Sequence, residues 1–213
     1  MERGILSGNR KRFLSVILTI LFLLLISATT MAASGKCGSK VRWKLSKGTL
    51  TISGKGKMKD YYYEMEKHAP WYKYRSKIKK IVVKKGVTRI GSGVFSGCNK
   101  AKNIKIAGTV TSIGDFAFDG CRALKKLTIP EGVKRIEGYA FSSCRKLKTL
   151  ILPKSLTYMD NWLFYDTRSL KDIYFQGSQQ QWKALIASDD PEEEGPYNLD
   201  ILDDIKGVKI HCK

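Results

Sequence analysis

The sequence predicts an exported repeat solenoid of the α/β type, a right-handed coil built mostly of short parallel β-strands and turns. Three observations predict it: a 23-residue register repeated four times between Val87 and Gly177, a strand signature inside each copy, and a leader of basic then apolar residues. The register puts Val87, Val110, Val133 and Leu156 in one column, with Ile90, Ile113, Ile136 and Met159 three residues on. Phe95, Phe118, Phe141 and Phe164 form the next column. Cys98, Cys121 and Cys144 follow, with Thr167 in the fourth copy.

The leader comes first. Arg10, Lys11 and Arg12 precede an apolar run from Phe13 to Ile26, broken by Ser15 and Thr19, and small residues continue to Ala33. That order reads as a signal peptide over residues 1–33, with Thr30 and Ala32 as the small pair before the cut. The run is shorter than the ~20 residues a spanning helix needs, so no transmembrane span is expected after cleavage. Residues 34–77 read as an N-terminal cap. Val41, Trp43 and Leu45 alternate, as do Leu50 and Ile52, and Lys47-Gly48 supplies the turn of a β-hairpin. Such a hairpin shields the first open edge of the stack. Tyr61 to Tyr63 and Trp71 to Tyr74 are expected to pack over the first coil; the alternative is a stacking platform for ligand.

Residues 78–177 carry the repeats. Their strand parts are a half-copy, Ile78-Ile81-Val83, then Ala101-Ile104-Ile106, Leu124-Leu127-Ile129, Leu147-Leu150-Leu152 and Leu170-Ile173-Phe175. The last two apolar positions of each lie two apart, the period of a strand with one face inward. One such strand cannot bury its inner face alone, but stacked copies form a continuous core. The phenylalanines then form the wall opposite the strands, and the cysteines behave as small buried hydrophobes. Gly91 and Gly114 suit a tight turn, but Glu137 and Asp160 in the later copies show it is not strictly glycine-dependent. Residues 178–213 read as a C-terminal helix/strand cap. Gln179 to Ala187 suits a short helix with Trp182, Leu185 and Ile186 on one face, and Asp189 to Glu194 is an acidic, solvated loop.

The run from Val110 to Pro130, Val-Thr-Ser-Ile-Gly-Asp-Phe-Ala-Phe-Asp-Gly-Cys-Arg-Ala-Leu-Lys-Lys-Leu-Thr-Ile-Pro, closely resembles the BspA-like leucine-rich repeats of bacterial surface proteins. The likeness covers Ile78 to Gly177. The flanks resemble the family too: Cys37-Gly38, Val41 to Leu45 and Gly48 to Gly54 look like its opening hairpin. Ile173 to Gly177, Gln181-Trp182 and Ile210-His211-Cys212 look like its exit segment. The resemblance implies secretion, surface display, adhesion or ligand binding in some members, and no shared enzymatic activity.

Net charge is +20 and unevenly spread, +21 over residues 34–182 against −4 from Lys183 onward. A basic body favours anionic partners in a salt-dependent way. His68 and His211 stand at opposite ends of the repeats, and the aligned cysteines sit in a hydrophobic column with no base beside them. Metal-ligand spacing is absent, and Gly54-Lys55-Gly56-Lys57 lacks the helix of a phosphate cradle and reads as a turn. Neither an enzyme, a metal nor a cofactor is therefore expected. Cys37 and Cys212 belong to opposite ends, which argues against a bond between them within one chain.

One feature stands above this background. The position after the first strand apolar residue is lysine in every copy: Lys79, Lys102, Lys125, Lys148 and Lys171. Lys80, Lys126 and Lys105 add to it, with Arg122, Arg145 and Arg168 just before the strand. Thr128, Ile151 and Tyr174 take the outward mid-strand position, where a protein or glycan can dock. The expected function is an exported binding or adhesion module recognising an extracellular protein or anionic glycan through its strand face. The alternative is a structural protein held by its basic face on anionic wall polymer. Nucleic acid is not expected, given export and the lack of a recognition helix. Oligomeric state stays open.

Overall fold

The computed structural model describes residues 32–62, 67–187 and 206–213. The leader up to residue 31 and the acidic loop of residues 189–194 lie outside the described residues. The chain enters through three antiparallel strands, β1 (Ala33–Lys36), β2 (Val41–Ser46) and β3 (Thr49–Gly54). The expected hairpin is β2–β3, in register Val41↔Gly54 to Ser46↔Thr49. Lys47 and Gly48 both have positive φ, 48° and 73°, the twist that a two-residue turn needs to match paired strands. Val41, Trp43, Leu45, Leu50 and Ile52 all point inward, as their alternation requires.

From β3 onward every pairing is parallel. The L-x-x-L-x-L segments supply β5 (Lys80–Val83), β7 (Asn103–Ile106), β9 (Lys126–Thr128), β11 (Thr149–Leu152) and β13 (Asp172–Phe175), and β14 (Lys209–His211) closes the run. The V-x-x-I columns form a second parallel ladder that the sequence reading did not anticipate. It consists of β4 (Gly56–Lys57), β6 (Val87–Ile90), β8 (Ser112–Ile113), β10 (Arg135–Ile136) and β12 (Tyr158–Met159). The Gly54–Lys57 segment, read as a turn, bends only at Lys55 and then enters this second ladder.

The first ladder divides between β7 and β9, which lie in separate sheets. Ala107, one step before Pro130, donates its backbone N–H to Val83 O at 3.0 Å, and Gln176, one step after Pro153, donates to Leu152 O at 2.9 Å. Proline has no N–H to give, so the equivalent bonds from Pro130 to Ile106 and from Pro153 to Ile129 cannot form; β9 and β11 pair nonetheless.

Stacking the register buries its columns. Val87, Val110, Val133 and Leu156, and Ile90, Ile113, Ile136 and Met159, are all within 3 % exposure. The phenylalanine column becomes a continuous stack, with ring centroids 5.5, 5.9 and 5.8 Å apart from Phe95 to Phe164. Trp71 extends it at the first coil, 6.0 Å from Phe95, and donates its Nε1–H to Val94 O at 2.9 Å. Packing over the first coil is therefore what Trp71 does. The cysteine column has a second role beyond filling space. Cys144 Sγ and Cys121 Sγ point at the carbonyls of Phe118 and Phe95, at 3.2 and 3.6 Å, and Thr167 Oγ1 donates to Phe141 O at 2.7 Å. Thiol and hydroxyl are both donors of similar reach, which explains why threonine replaces cysteine in the fourth copy.

At the far end, α1 (Gln179–Ile186) begins with a capping box: Ser178 Oγ accepts from Gln181 N–H and Gln181 Oε1 accepts from Ser178 N–H. Trp182 and Leu185 are buried and Ile186 packs against the core, the face the sequence assigns.

Candidate functional site

The strand face presents the lysine column. Lys79, Lys102, Lys125, Lys148 and Lys171 are all exposed. Their backbones are bonded in two runs, Lys102 N–H to Lys79 O, then Lys148 N–H to Lys125 O and Lys171 N–H to Lys148 O, at 2.9–3.0 Å. Within each run the ammonium stems are rooted one strand spacing apart, ~4.8 Å, and the division of the ladder falls between Lys102 and Lys125. Lys105 and Lys126 are exposed beside them. The next column is mixed rather than basic, running Lys80, Asn103, then Lys126, Thr149, Asp172 and Lys209.

The arginines just before the strand do not extend the stripe uniformly. Arg145 and Arg168 both bond Asp166, at 2.7 and 2.5 Å. The Arg145 hydrogen bond, with that of Arg168, holds the Asp166 carboxyl below the usual carboxylate range. Asp166 sits in a left-handed turn, φ 56°, that brings its carboxylate between two guanidiniums. One carboxylate thus offsets one of those two charges.

Thr128, Ile151 and Tyr174 lie side by side on the outer strand positions, Thr128 and Tyr174 exposed and Ile151 half-buried. His211 joins them from β14. Its ring stacks on Tyr174 at 4.3 Å, and its Nε2 lies 2.9 Å from Asp172 Oδ1.

The cysteines are chemically quiet. Burial pushes the Cys37, Cys98 and Cys144 thiols up to about 12 and Cys121 well above its ordinary value. A thiol held protonated is a poor nucleophile. Among the described residues no group of three His, Cys, Asp or Glu side chains is placed to hold a metal ion. No described helix is long and apolar enough to cross a membrane.

A second feature, on the turn segments, escaped the sequence reading. The register that aligns the core also aligns Gly93, Phe116, Tyr139 and Trp162, all left-handed, with φ of 63°, 53°, 55° and 57°. Phe116 and Tyr139 stack at 4.8 Å and 5°, and Tyr139 and Trp162 at 6.3 Å and 8°. Tyr165 sets its edge against the last two. Phe116, Trp162 and Tyr165 remain 41 %, 39 % and 53 % exposed, so this second stack is a surface feature. It ends at a cavity of about 450 Å³, lined by Phe116, Asp119 and Gly93 from the coils and by Tyr61, Tyr62 and His68 from the segment before them. Part of the aromatic segment therefore does line a hollow, beside the part that packs.

A family model, BspA type leucine rich repeat region, matches residues 69–186 with six copies, more than half of the chain. A leucine-rich repeat protein from Eubacterium ventriosum ATCC 27560 is 29 % identical, with TM-score 0.54 over 68 % of this chain and 44 % of that one. A leucine rich cell surface protein from Faecalibacterium prausnitzii A2-165 is 22 % identical, with TM-score 0.53 over 70 % and 41 %. The T. pallidum leucine rich repeat protein is 18 % identical, with TM-score 0.51 over 65 % and 70 %. The chain spans less than half the length of the first two structures. The comparison with curated proteins found no match.

Proposed function

The chain belongs to the BspA-type leucine-rich repeat family, and from that premise we propose that it is an exported surface module binding an extracellular protein or anionic glycan through its strand face. The observation that carries this reading is the exposed lysine column from Lys79 to Lys171, rooted in two runs on coil-to-coil backbone bonds. Like charges that close repel, by up to about 1 kcal/mol per exposed pair before screening. A polyanion laid along the column relieves that repulsion and releases bound counterions. Lys105 and Lys126 widen the contact, and Thr128, Ile151 and Tyr174 give it an apolar and hydroxyl-bearing flank. Residues 1–33 supply the export signal, the hairpin segment of residues 34–77 closes one end of the stack, and residues 178–213 close the other. A cell-surface location is also that of the Faecalibacterium neighbour, a leucine rich cell surface protein. Binding fits the site better than catalysis does, because burial holds the Cys98, Cys121 and Cys144 thiols protonated.

The test is a salt series. The full chain and a Lys102→Gln, Lys125→Gln, Lys148→Gln variant are titrated with a sulfated polysaccharide, and against a panel of matrix proteins. The variant should bind the polyanion more weakly, with a log affinity against log salt slope smaller by on the order of one unit per lysine in contact. Unchanged binding and an unchanged slope would sink the strand-face reading. Matrix-protein binding that survives high salt selects adhesion; elution from cell envelopes by salt alone, with no other ligand bound, selects retention on wall polymer.

A further inference from the structure

The second aromatic stack stops one coil short. Phe116, Tyr139 and Trp162 fill the same register position in three successive coils, and the coil before them has Gly93 there. Glycine is required by a close approach: a Cβ at Gly93 would lie 2.0 Å from Tyr61 O, where the preceding segment crosses the coil. Gly97, four residues on, also lacks a side chain, and a Cβ there would press on the Arg75 stem at 3.1 Å. Tyr61 O thus takes the space of a side chain at position 93, and beside it lies the cavity of about 450 Å³ described above, lined both by Phe116 and by the crossing segment. That volume falls in the range of small-ligand pockets. Phe116 carries Tyr139 on one face and lines the cavity.

The walls combine apolar and polar groups. Around the Phe116 floor stand Asp119, Ser96, Arg75 and Lys67, with the Tyr72 ring sandwiched between His68, at 3.9 Å, and the Arg75 guanidinium, at 3.7 Å. Asp119 Oδ2 takes a hydrogen bond from Ser96 Oγ at 3.2 Å. Burial raises the Asp119 carboxyl above its usual value against the opposing bonds of Ser142 and Ser96, so its charged form gains from further donors. A phenylalanine side chain from a protein partner would cover Asp119 and Arg75 without giving either a polar contact, and a tyrosine or tryptophan would bring one polar atom to a rim of several, at a desolvation cost. A sugar ring has one apolar C–H face and a rim of hydroxyls that both donate and accept.

We propose that this cavity is a sugar site in which a pyranose ring continues the stack beyond Phe116, its C–H face on Phe116 and its hydroxyls on Asp119, Ser96 and Arg75. The site shares no residue with the lysine column, so each can fail without the other.

Saturation-transfer NMR of the full chain against a panel of methyl hexopyranosides and short pyranose oligosaccharides tests it. At least one panel sugar should receive saturation through its ring C–H protons. Phe116→Ala and Asp119→Asn should each weaken that binding by about tenfold, the loss of one stacking face or one charge-assisted hydrogen bond. The triple lysine variant should bind the same sugar as the parent does. Circular dichroism and melting of each variant separate loss of binding from loss of fold, and Phe116→Tyr should restore the stacking face if Phe116→Ala proves unstable. Binding by no panel sugar, binding unmoved by both substitutions, or capture of a tryptophan-bearing peptide in place of any sugar would overturn the proposal.

Discussion

Replacing Thr167 with valine isolates the hydrogen bond that ends the thiol column. The two side chains are nearly the same size, so Thr167→Val opens no cavity at this buried site; it removes only the hydroxyl that reaches Phe141 O at 2.7 Å. Losing a typical intramolecular hydrogen bond costs a net ~0.5–1.5 kcal/mol, and a carbonyl left wholly unpaired costs more, ~1–3 kcal/mol. Phe141 O also accepts the Cys144 N–H at 3.2 Å, so it stays half satisfied and the lower range applies. The expected loss is about 1 kcal/mol, or roughly 2–4 °C in Tm for a chain of this size. Thr167→Cys keeps a weaker donor and should cost less than Thr167→Val. Urea unfolding with an unchanged m-value gives both numbers from the midpoints. If Thr167→Val is as stable as the parent, or less damaging than Thr167→Cys, the column is held by size alone and the hydrogen-bond account is wrong.

Two further outcomes follow from the titrating groups. Cys212 is half-buried and should react with a thiol reagent in the folded protein, while Cys37, Cys98, Cys121 and Cys144 react only as fast as the stack opens; equal rates for all five would contradict their burial. The acid response should contain two opposed parts. Burial works to raise the Asp60 carboxyl, but the Arg89 hydrogen bond and charge and the Ser92 amide outweigh it. Its folded value is depressed, so its stabilisation is full above the ordinary Asp range and is lost as pH falls through that lowered value. Asp119 is raised by burial, so its ionisation costs stability, and that cost disappears as pH falls through the raised value. Urea midpoints between about pH 3 and 7 should therefore fall less steeply with acid for Asp60→Asn than for the parent, and more steeply for Asp119→Asn. The reverse order would refute both assignments.

The core was legible because burial in a repeat is written at a fixed step. Phe95, Phe118, Phe141 and Phe164 need no other information to be placed together, and the helix of Gln179–Ile186 shows its apolar face within a few residues. The second ladder was not legible, since pairs as short as Ser112–Ile113 carry no alternation to read. The lysine column and its arginine border were visible for the same reason as the core, but the pairing of that border with Asp166 was not. Asp166 lies 21 residues from Arg145, and only the left-handed turn at Asp166 brings them into contact. The outer aromatic column uses the same step as the core and was missed for a physical reason. Aromatic residues rarely adopt positive φ, and nothing in a sequence separates a ring held half-exposed from one in the core.

A stack of near-identical coils offers near-identical surfaces, so a selective site must come from a break in the register. The lysine column is the repeated case: each coil adds one more ammonium, and it discriminates by charge density. The cavity is the broken case. At the first coil the preceding segment crosses close enough for Tyr61 O to exclude a side chain at position 93, and there the stack of rings gives way to the cavity. In the next coils Tyr139 and Trp162 fill that position themselves, so an equivalent hollow cannot recur along those coils. The segment that covers the end of the core, with Trp71 on Phe95, is therefore the same one that closes the cavity with Tyr61 and Tyr72. Stability at the first coil and the shape of the site are coupled through one stretch of chain.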